Sequence, residues 1–164
     1  MDWGAVGRLW ENWVLHNVGS SGRPLKAALL INYDQAGPSR LLSTILVYCC
    51  TNGYAVVYLI KRAEQEGIKA DPIEVSQFLS FVTRNKLQMG SFFIGRNQYL
   101  VTSIHESWFC ARCLNTTKQA GEGAIVMQTS AFLLVGIYEG SIGPASRAMA
   151  AVDQFSGQLT RRNL

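Results

Sequence analysis

The residues best suited to chemistry in this sequence are its four cysteines, which form two pairs, Cys49-Cys50 and Cys110-x-x-Cys113. The second pair has the spacing of thiol–disulfide oxidoreductases, in which a helix N-terminus lowers the pKa of the first thiol. Here no helical period begins at Cys110, and a glycine-rich turn follows soon after. We therefore predict that the cysteines serve as small apolar residues, and a redox enzyme is the weakest hypothesis.

A metal site or a catalytic triad would need partners that the sequence places poorly. Zinc would require two ligands beyond the second cysteine pair, and the candidates are Cys49, Cys50 and His105. Adjacent residues of a strand point to opposite faces of the sheet, so Cys49 and Cys50 are badly placed to share a metal. Neither His16 nor His105 has a neighbouring pattern typical of a triad. We expect no enzymatic activity and no cofactor.

Composition favours one compact domain over a nucleic-acid binder. The chain has 164 residues, of which 48% are hydrophobic and 16% charged, and its net charge is +4. A chain of this length folds most often as one domain. Its Lys and Arg residues do not form the dense clusters typical of nucleic-acid binding. The first residues lack the basic segment and apolar core of a secretory signal, so we expect a cytoplasmic protein.

One stretch, Leu41–Ile60, carries no charge over its whole length and so meets the crude criterion for a transmembrane helix. Thr51-Asn52-Gly53 interrupts it with a strong hairpin signal. Both sides of that signal are rich in Val, Ile, Leu and Tyr, which favour strands. The pattern predicts a buried β-hairpin, and a membrane span is the alternative.

Helical spacing of apolar residues recurs at both ends of the chain. Trp3, Val6, Trp10 and Trp13 fall on one stripe of a first helix that ends near Asn17. Such a stripe either packs in the core or forms a partly exposed aromatic platform. Near the C-terminus, Gly121-Glu122-Gly123 reads as a turn and residues 124–127 and 131–138 as a hairpin. The helix that follows is predicted to bury Ala148, Ala151, Val152, Phe155 and Leu159.

The middle of the chain predicts strands around one further helix. Ala27–Tyr33 reads as a strand, and Lys61–Lys69 as a charged connector with a helical turn. Asp71 and Pro72 suit the N-cap and first residue of a helix. Its predicted buried face is Ile73, Val75, Phe78, Leu79 and Val82. The strands that follow are Phe92–Ile94, Gln98–Ile104 and Ser107–Leu114. This order predicts an α+β domain with helices on both faces of one sheet.

Five segments of the sequence resemble profilins, a family of small proteins that bind actin monomers and proline-rich segments. They are Met1–Trp3, Asp71–Glu74, Gly90–Tyr99, Lys118–Gly123 and Thr129–Tyr138. The resemblance implies a single profilin-like domain over residues 1–164, built on a central antiparallel sheet. It also implies that the N- and C-terminal helices lie on one face of this sheet and the further helix on the other.

The resemblance covers Pro72–Leu164, with Trp3 as a separate anchor. Between these, the chain is longer than profilins usually are, which implies an insertion or extension somewhere within 4–71. Either Ala27–Tyr33 or Leu46–Cys50 then corresponds to the first strand of the family.

Profilins contact actin through their last strands and the start of the final helix. The resemblance therefore implies that this chain binds monomeric actin, regulates its polymerisation and lies with the cytoskeleton. The matching residues are Lys118, Arg96, Arg147, Met149 and Asp153. Positive charge in this region suits an acidic actin surface or the head group of a phosphoinositide.

Profilins hold proline-rich peptides on aromatic residues of their terminal helices, because a polyproline II segment is already rigid and costs little to order. The matching residues here are Trp3, Val6, Tyr54, Gln158, Leu159 and Leu164. Several of these are not aromatic, so we expect proline-rich binding to be weakened.

The alternative hypothesis is a longin- or roadblock-like adaptor that binds partners other than actin. A fully buried tryptophan stripe would favour such an adaptor, whereas an exposed one would favour peptide recognition.

Overall fold

The computed structural model describes residues 3–19, 22–32, 45–51, 54–60, 63–83, 87–88 and 90–164, of which residues 3, 45–51, 54–60, 63–64 and 72 are described by their backbone alone. Over these residues the chain forms three helices: α1 (Trp3–Asn17), α2 (Pro72–Thr83) and α3 (Ile142–Arg161). It also forms nine strands: β1 (Ala27–Asn32), β2 (Ile45–Thr51), β3 (Tyr54–Ile60), β4 (Ala63–Glu66), β5 (Ser91–Ile94), β6 (Asn97–Ile104), β7 (Trp108–Cys113), β8 (Glu122–Gln128) and β9 (Phe132–Glu139).

Seven of the strands form one antiparallel sheet in the order β4-β1-β9-β8-β7-β6-β5. β8 and β9 lie at its centre and are almost entirely buried, because helices cover both of their faces. β2 and β3 pair with each other in a separate two-stranded sheet. The predicted α+β class is confirmed.

The first face of the sheet is covered by α1 and α3, which share one hydrophobic core. The indole of Trp13 lies 4.9 Å from the ring of Phe155, and its Nε1–H donates to the carbonyl of Ala151 at 2.9 Å. Trp10 and Val6 are buried in the same cluster. Core packing is therefore confirmed for these three residues of the stripe, and the Trp3 side chain lies outside the description. All five residues predicted for the buried side of α3 are buried.

The second face is covered by α2, so the first and last helices share one face and α2 takes the other, as predicted. Asp71 caps α2 as predicted, because its Oδ1 accepts the backbone N–H of Ile73 at 2.8 Å. Val75 and Phe78 are buried, and Leu79 and Val82 pack against the same core. The prediction is wrong for Ile73, which is 54% exposed. At 100° per residue, Ile73 points nearly opposite to the centre of that buried stripe.

Two local predictions are corrected by strand pairing. Lys61–Lys69 was expected to hold a helical turn, but Ala63–Glu66 forms β4, which pairs with the edge of β1. The partner strand offers backbone hydrogen bonds that a short charged helical turn cannot match, so tertiary pairing overrides local propensity. Similarly, only Gly121 of the predicted Gly121–Gly123 turn has a positive φ, of 80°, while Glu122 already begins β8.

The predicted hairpin within Leu41–Ile60 is confirmed as a backbone pairing of β2 with β3. Its turn residues, Asn52 and Gly53, lie outside the described residues, as do the side chains on which its predicted burial depends. Among the helices that the structure describes, none is both long and apolar enough to cross a membrane.

The hydroxyl of Tyr99 allows a test of the packing in the core between the sheet and α2. Tyr99 is fully buried with its ring stacked on Phe92, and its Oη makes no hydrogen bond of ordinary length and angle to a described residue, although the side chain of Asn97 lies near it. A buried hydroxyl without a partner costs roughly 1–3 kcal/mol of desolvation. We expect Tyr99→Phe to leave the free energy of unfolding unchanged or to raise it by about 1 kcal/mol, as measured by urea denaturation. In contrast, Tyr99→Ala should cost about 3–5 kcal/mol. A loss above about 1 kcal/mol in Tyr99→Phe would show that the hydroxyl is bonded.

Candidate protein-binding surface

The first face of the sheet is only partly covered, because α3 packs mainly on β8 and β9, while β7 lies at the border of its core and β5 and β6 carry exposed side chains. Leu100 lies opposite Arg112, which in turn pairs with Gly123 and then Tyr138, a residue of the α1–α3 core. Directly opposed residues of antiparallel strands share a face, so Leu100 belongs to this face. Leu100 is 36% exposed.

The outermost strand extends the same apolar surface. Ser91 pairs with Leu100, and Phe93 follows two residues later, so the side chain of Phe93 emerges on the same side. It is 49% exposed, whereas its neighbours Phe92 and Ile94 are buried on the other side. The outer half of this phenylalanine ring is thus left uncovered by the residues that the structure describes.

The inner border of this surface is formed by β7 and one flank of α3. Trp108 and Cys110 of β7 are partly buried, and so is Met149 of α3; all pack against the rim of the α1–α3 core. The imidazole of His105 stacks on Trp108 with ring centroids 3.8 Å apart. We call the surface made by Phe93, Leu100, Trp108, Cys110 and Met149 the open face.

A buried carboxylate positions the loop between β7 and β8 beside this face. Glu122 is 4% exposed, and its carboxylate accepts hydrogen bonds from Lys26 Nζ at 2.5 Å and Thr116 Oγ1 at 2.6 Å. Burial alone would raise the pKa of Glu122, but these two bonds and the charges of Lys26 and Lys118 outweigh burial and lower it. Thr116 Oγ1 also accepts the backbone N–H of Lys118, so Glu122 fixes the segment that carries Lys118.

The same end of the sheet holds a basic cleft of about 370 Å³. Two of its cations, Arg23 and Arg147, donate to the backbone carbonyls of His16 and Gly22 at 2.7 Å and 2.9 Å. Backbone carbonyls leave the guanidinium charges uncompensated. Its lining consists of Gly19, Arg23, Pro24, Lys26, Lys118, Glu139, Pro144 and Arg147. Of its four cations, Lys26 is paired with Glu122 and Lys118 lies 3.8 Å from Glu139, so Arg23 and Arg147 supply the excess positive charge that attracts anions.

The start of α3 is tied to β7 by one arginine. Nη1 of Arg112 donates to the carbonyl of Gly140 at 2.8 Å. The guanidinium lies so close to Gly121 that a Cβ there would be 2.4 Å from Nη2. The absence of a side chain at Gly121 therefore lets Arg112 reach across β8 and hold α3 beside the open face.

A sequence profile of the profilin family matches residues 8–164 of the chain. The chain belongs to the profilin family. Profilins are a family of actin-binding proteins without enzymatic activity that associate with the cytoskeleton. Because the chain belongs to this family, we prefer it to the longin- or roadblock-like adaptor as the description of the fold.

Three profilins of Acanthamoeba castellanii have similar structures. Profilin IA superposes with a TM-score of 0.57 at 18% identity, over 94% of this chain and 99% of that one. Profilin IB gives a TM-score of 0.52 at 16% identity, over 86% and 89%. Profilin II gives 0.52 at 17% identity, over 91% and 98%. At these identities the similarity establishes the profilin fold alone. A direct comparison of the sequence with curated proteins finds no match.

The residues predicted to contact actin fall into separate places in this profilin. Met149 and Asp153, one helical turn apart, lie on the flank of α3 that faces β7. Arg147 points to nearly the opposite flank, beside the segment that follows α1. There it meets Lys118 in the basic cleft. Arg96 lies apart, in the turn between β5 and β6.

Arg96 is held by its backbone. It has a positive φ of 67°, and its N–H lies 3.2 Å from both carboxylate oxygens of Glu74 in α2. Its carbonyl accepts from Nδ2 of Asn115 at 3.3 Å. The side chain of Arg96 is exposed at the same end of the sheet as the loop that carries Lys118.

The residues predicted to bind proline-rich segments are mostly buried. Val6, Leu159 and Leu164 belong to the α1–α3 core, and Gln158 is half-buried. The side chains of Trp3 and Tyr54 lie outside the description. Every Phe or Trp ring whose side chain is described on α1 and α3 is buried: Trp10, Trp13 and Phe155. The described part of this surface therefore presents no Phe or Trp ring to a peptide, and His16 is its exposed ring.

The two cysteines of β7 do not form a redox pair. Cys110 lies on the open face. Cys113 lies opposite Tyr99 in the register of β6 and β7, and its side chain packs against the α2 core on the other side of the sheet. Burial raises the pKa of both thiols, despite partial compensation by hydrogen bonds. Among the described residues, no group of His, Cys, Asp and Glu side chains is placed to hold a metal.

Sequence reasoning missed the apolar centre of the open face. Phe93 and Leu100 were placed in strands without a role, although the alternation of Phe92 with Phe93 signals one ring on each side of a strand. The sequence could not show that no helix covers the outer ring, because coverage depends on where α3 crosses the sheet.

The Glu122 interactions predict a pH-dependent contribution to stability. A carboxylate whose pKa is lowered in the folded state stabilises that state above its unfolded pKa of about 4.3, and this contribution is lost as the pH falls through the folded value. We expect Glu122→Gln to lower the free energy of unfolding by about 2 kcal/mol at pH 7, and the difference from wild type to shrink below pH 4. Urea denaturation at several pH values measures both.

Glu139→Gln is the matched control, because Glu139 is half-exposed and its oxygen lies 3.8 Å from Lys118 Nζ. An exposed pair of this kind contributes about 0–1 kcal/mol. Parallel stability curves for Glu122→Gln and wild type between pH 3 and 7 would contradict the assignment.

Proposed function

We propose that this profilin binds monomeric actin through the open face and thereby regulates actin polymerisation in the cytoplasm. The observation that carries the proposal is the exposed apolar surface of Phe93 and Leu100, beside the flank of α3 that carries Met149 and Asp153. Contiguous apolar surface on a monomeric domain marks an interaction site. Membership of an actin-binding family supplies the partner.

Charge supports this proposal at the end of the sheet. Lys118 and Arg96 are exposed on two loops at the end where α3 begins, and a positive rim speeds encounter with an acidic surface. Arg147 donates to Gly22 on the far flank of α3, so we assign it to the basic cleft alone. Lys118 also lines this cleft, but it lies on the loop that follows β7, so we assign it to both surfaces.

The actin proposal is tested by Phe93→Ser. A half-exposed aromatic ring at the centre of an interface is typical of a hot spot, whose truncation costs about 2 kcal/mol or more. We expect the Kd for actin monomers to rise at least about thirtyfold, measured by analytical ultracentrifugation with labelled actin. The effect on polymerisation should weaken in parallel.

Leu15→Ser is the matched control, because Leu15 is 66% exposed on α1, away from the open face. It should bind actin as wild type does. Equal binding by Phe93→Ser would refute the assigned surface, and a wild-type protein that binds no actin would refute the function. In the second case an adaptor for other protein partners becomes the better hypothesis.

We propose anionic phosphoinositide head groups as a second ligand, at the basic cleft. The guanidiniums of Arg23 and Arg147, which donate to backbone carbonyls and face no carboxylate of their own, support this proposal. Binding of proline-rich segments is the weaker part of the proposed function, because the described Phe and Trp rings of α1 and α3 are buried.

The cleft is tested with Arg147→Gln and vesicles that contain a phosphoinositide. Loss of one cation near an anionic surface costs about 1 kcal/mol, so the amount of protein needed for half-maximal co-sedimentation should rise about fivefold. Phe93→Ser should bind the same vesicles as wild type, since Phe93 is remote from the cleft. Equal vesicle binding by Arg147→Gln and wild type would rule out the cleft as the lipid site.

A further inference from the structure

The hairpin of β2 and β3 interrupts a connection that would otherwise be short. β1 and β4 are neighbours in the seven-stranded sheet, and adjacent antiparallel strands can be joined by a tight turn. Instead the chain leaves the sheet after Asn32, forms the hairpin and returns at Ala63. We take this hairpin as the insertion predicted within 4–71, and β1 as the first strand of the profilin sheet.

The edges of the large sheet are protected against pairing with other chains, but those of the hairpin are not. β4 has four residues, two of them glutamates, and β5 also has only four. Short edge strands and charged side chains are the usual means by which proteins prevent an edge from pairing with another chain. β2 and β3 each have seven residues and neither contains a charge. β2 and β3 thus lack the charges and the short length that would keep their outer edges from pairing with a further strand.

One edge of the hairpin is the freer of the two. β2 lies beside α2, whereas the outer edge of β3 pairs with no strand among the described residues. In a hairpin with a two-residue connection, the two residues next to the turn exchange backbone hydrogen bonds, and here they are Thr51 and Tyr54. Going away from the turn, non-hydrogen-bonded and hydrogen-bonded pairs then alternate. Val57, opposite Tyr48, is in a non-bonded pair, so its N–H and carbonyl point away from β2.

We propose that β3 pairs with β3 of a second copy of this chain, antiparallel about a two-fold axis at Val57. Identical strands pair in this way because antiparallel alignment is self-complementary and the two-fold axis closes the assembly. The resulting four-stranded sheet would remove the marginal stability of a two-stranded ribbon. A bilayer is the poorer partner, because an open strand edge leaves backbone groups unsatisfied in hydrocarbon.

The test is Val57→Pro in the full chain. Proline removes the outward N–H of Val57 without breaking a bond to β2, so the hairpin can persist while pairing is blocked. Sedimentation equilibrium should show wild type approaching twice the mass of one chain with rising concentration. The dimer dissociation constant of Val57→Pro should be at least tenfold higher.

Tyr48→Pro is the matched control, because Tyr48 holds the equivalent position on the β2 edge and should leave dimerisation unchanged. Thermal denaturation of both variants verifies that the seven-stranded domain remains folded. A wild-type protein that stays monomeric at all concentrations, or a Val57→Pro protein that dimerises as wild type does, would overturn the proposal. The proposal would also be overturned if Tyr48→Pro weakened dimerisation as much as Val57→Pro does. Binding of a monomeric wild-type protein to neutral vesicles, detected by flotation, would instead point to a bilayer as the partner and would overturn it as well.

Discussion

The contact between α1 and α3 determines which parts of this profilin can bind a partner. Trp13 lies against Phe155 and donates a hydrogen bond to the backbone of Ala151, so both a ring contact and a directional bond set the position of α3 against α1. A buried indole N–H needs a partner, and this one is satisfied by a helix carbonyl that small residues leave accessible. With α3 placed over β8 and β9, Phe93 of β5 and Leu100 of β6 remain exposed on the first face of the sheet.

The same contact buries residues that the family resemblance assigns to the binding of proline-rich peptides. Val6 and Leu159 face inward, and the neighbouring Trp10 is 4% exposed. A ring cannot both fill the core between two helices and offer its face to a ligand. The described Phe and Trp rings of this helix pair, Trp10, Trp13 and Phe155, all lie in the core. At the open face this conflict is absent for Phe93 and Leu100, because both side chains are substantially exposed.

Periodicity predicted the elements well wherever one element buries one face. The five buried residues of α3 and the cap at Asp71 follow from spacing and from local hydrogen bonding alone. β4 was missed because its pairing with β1 is made over a long separation in sequence, and no local pattern in Ala63–Glu66 signals it. Arg147 illustrates the corresponding limit for the site. Matching a family motif assigns a residue to a helix, but a shift of two positions turns the side chain through about 200°.

The open face and the edge of β3 differ in the chemistry by which each can recognise a partner. The open face presents side chains, so its selectivity depends on shape and on the charges around it, such as Lys118 and Asp153. The edge of β3 presents backbone groups, which any extended strand can satisfy, so its selectivity must come from symmetry and register. The hairpin forms a sheet of its own, so among the described residues none of its strands is hydrogen-bonded to the strands that form the open face. If the hairpin is the insertion, it adds strands to the profilin fold without changing the pairing of β5, β6 and β7.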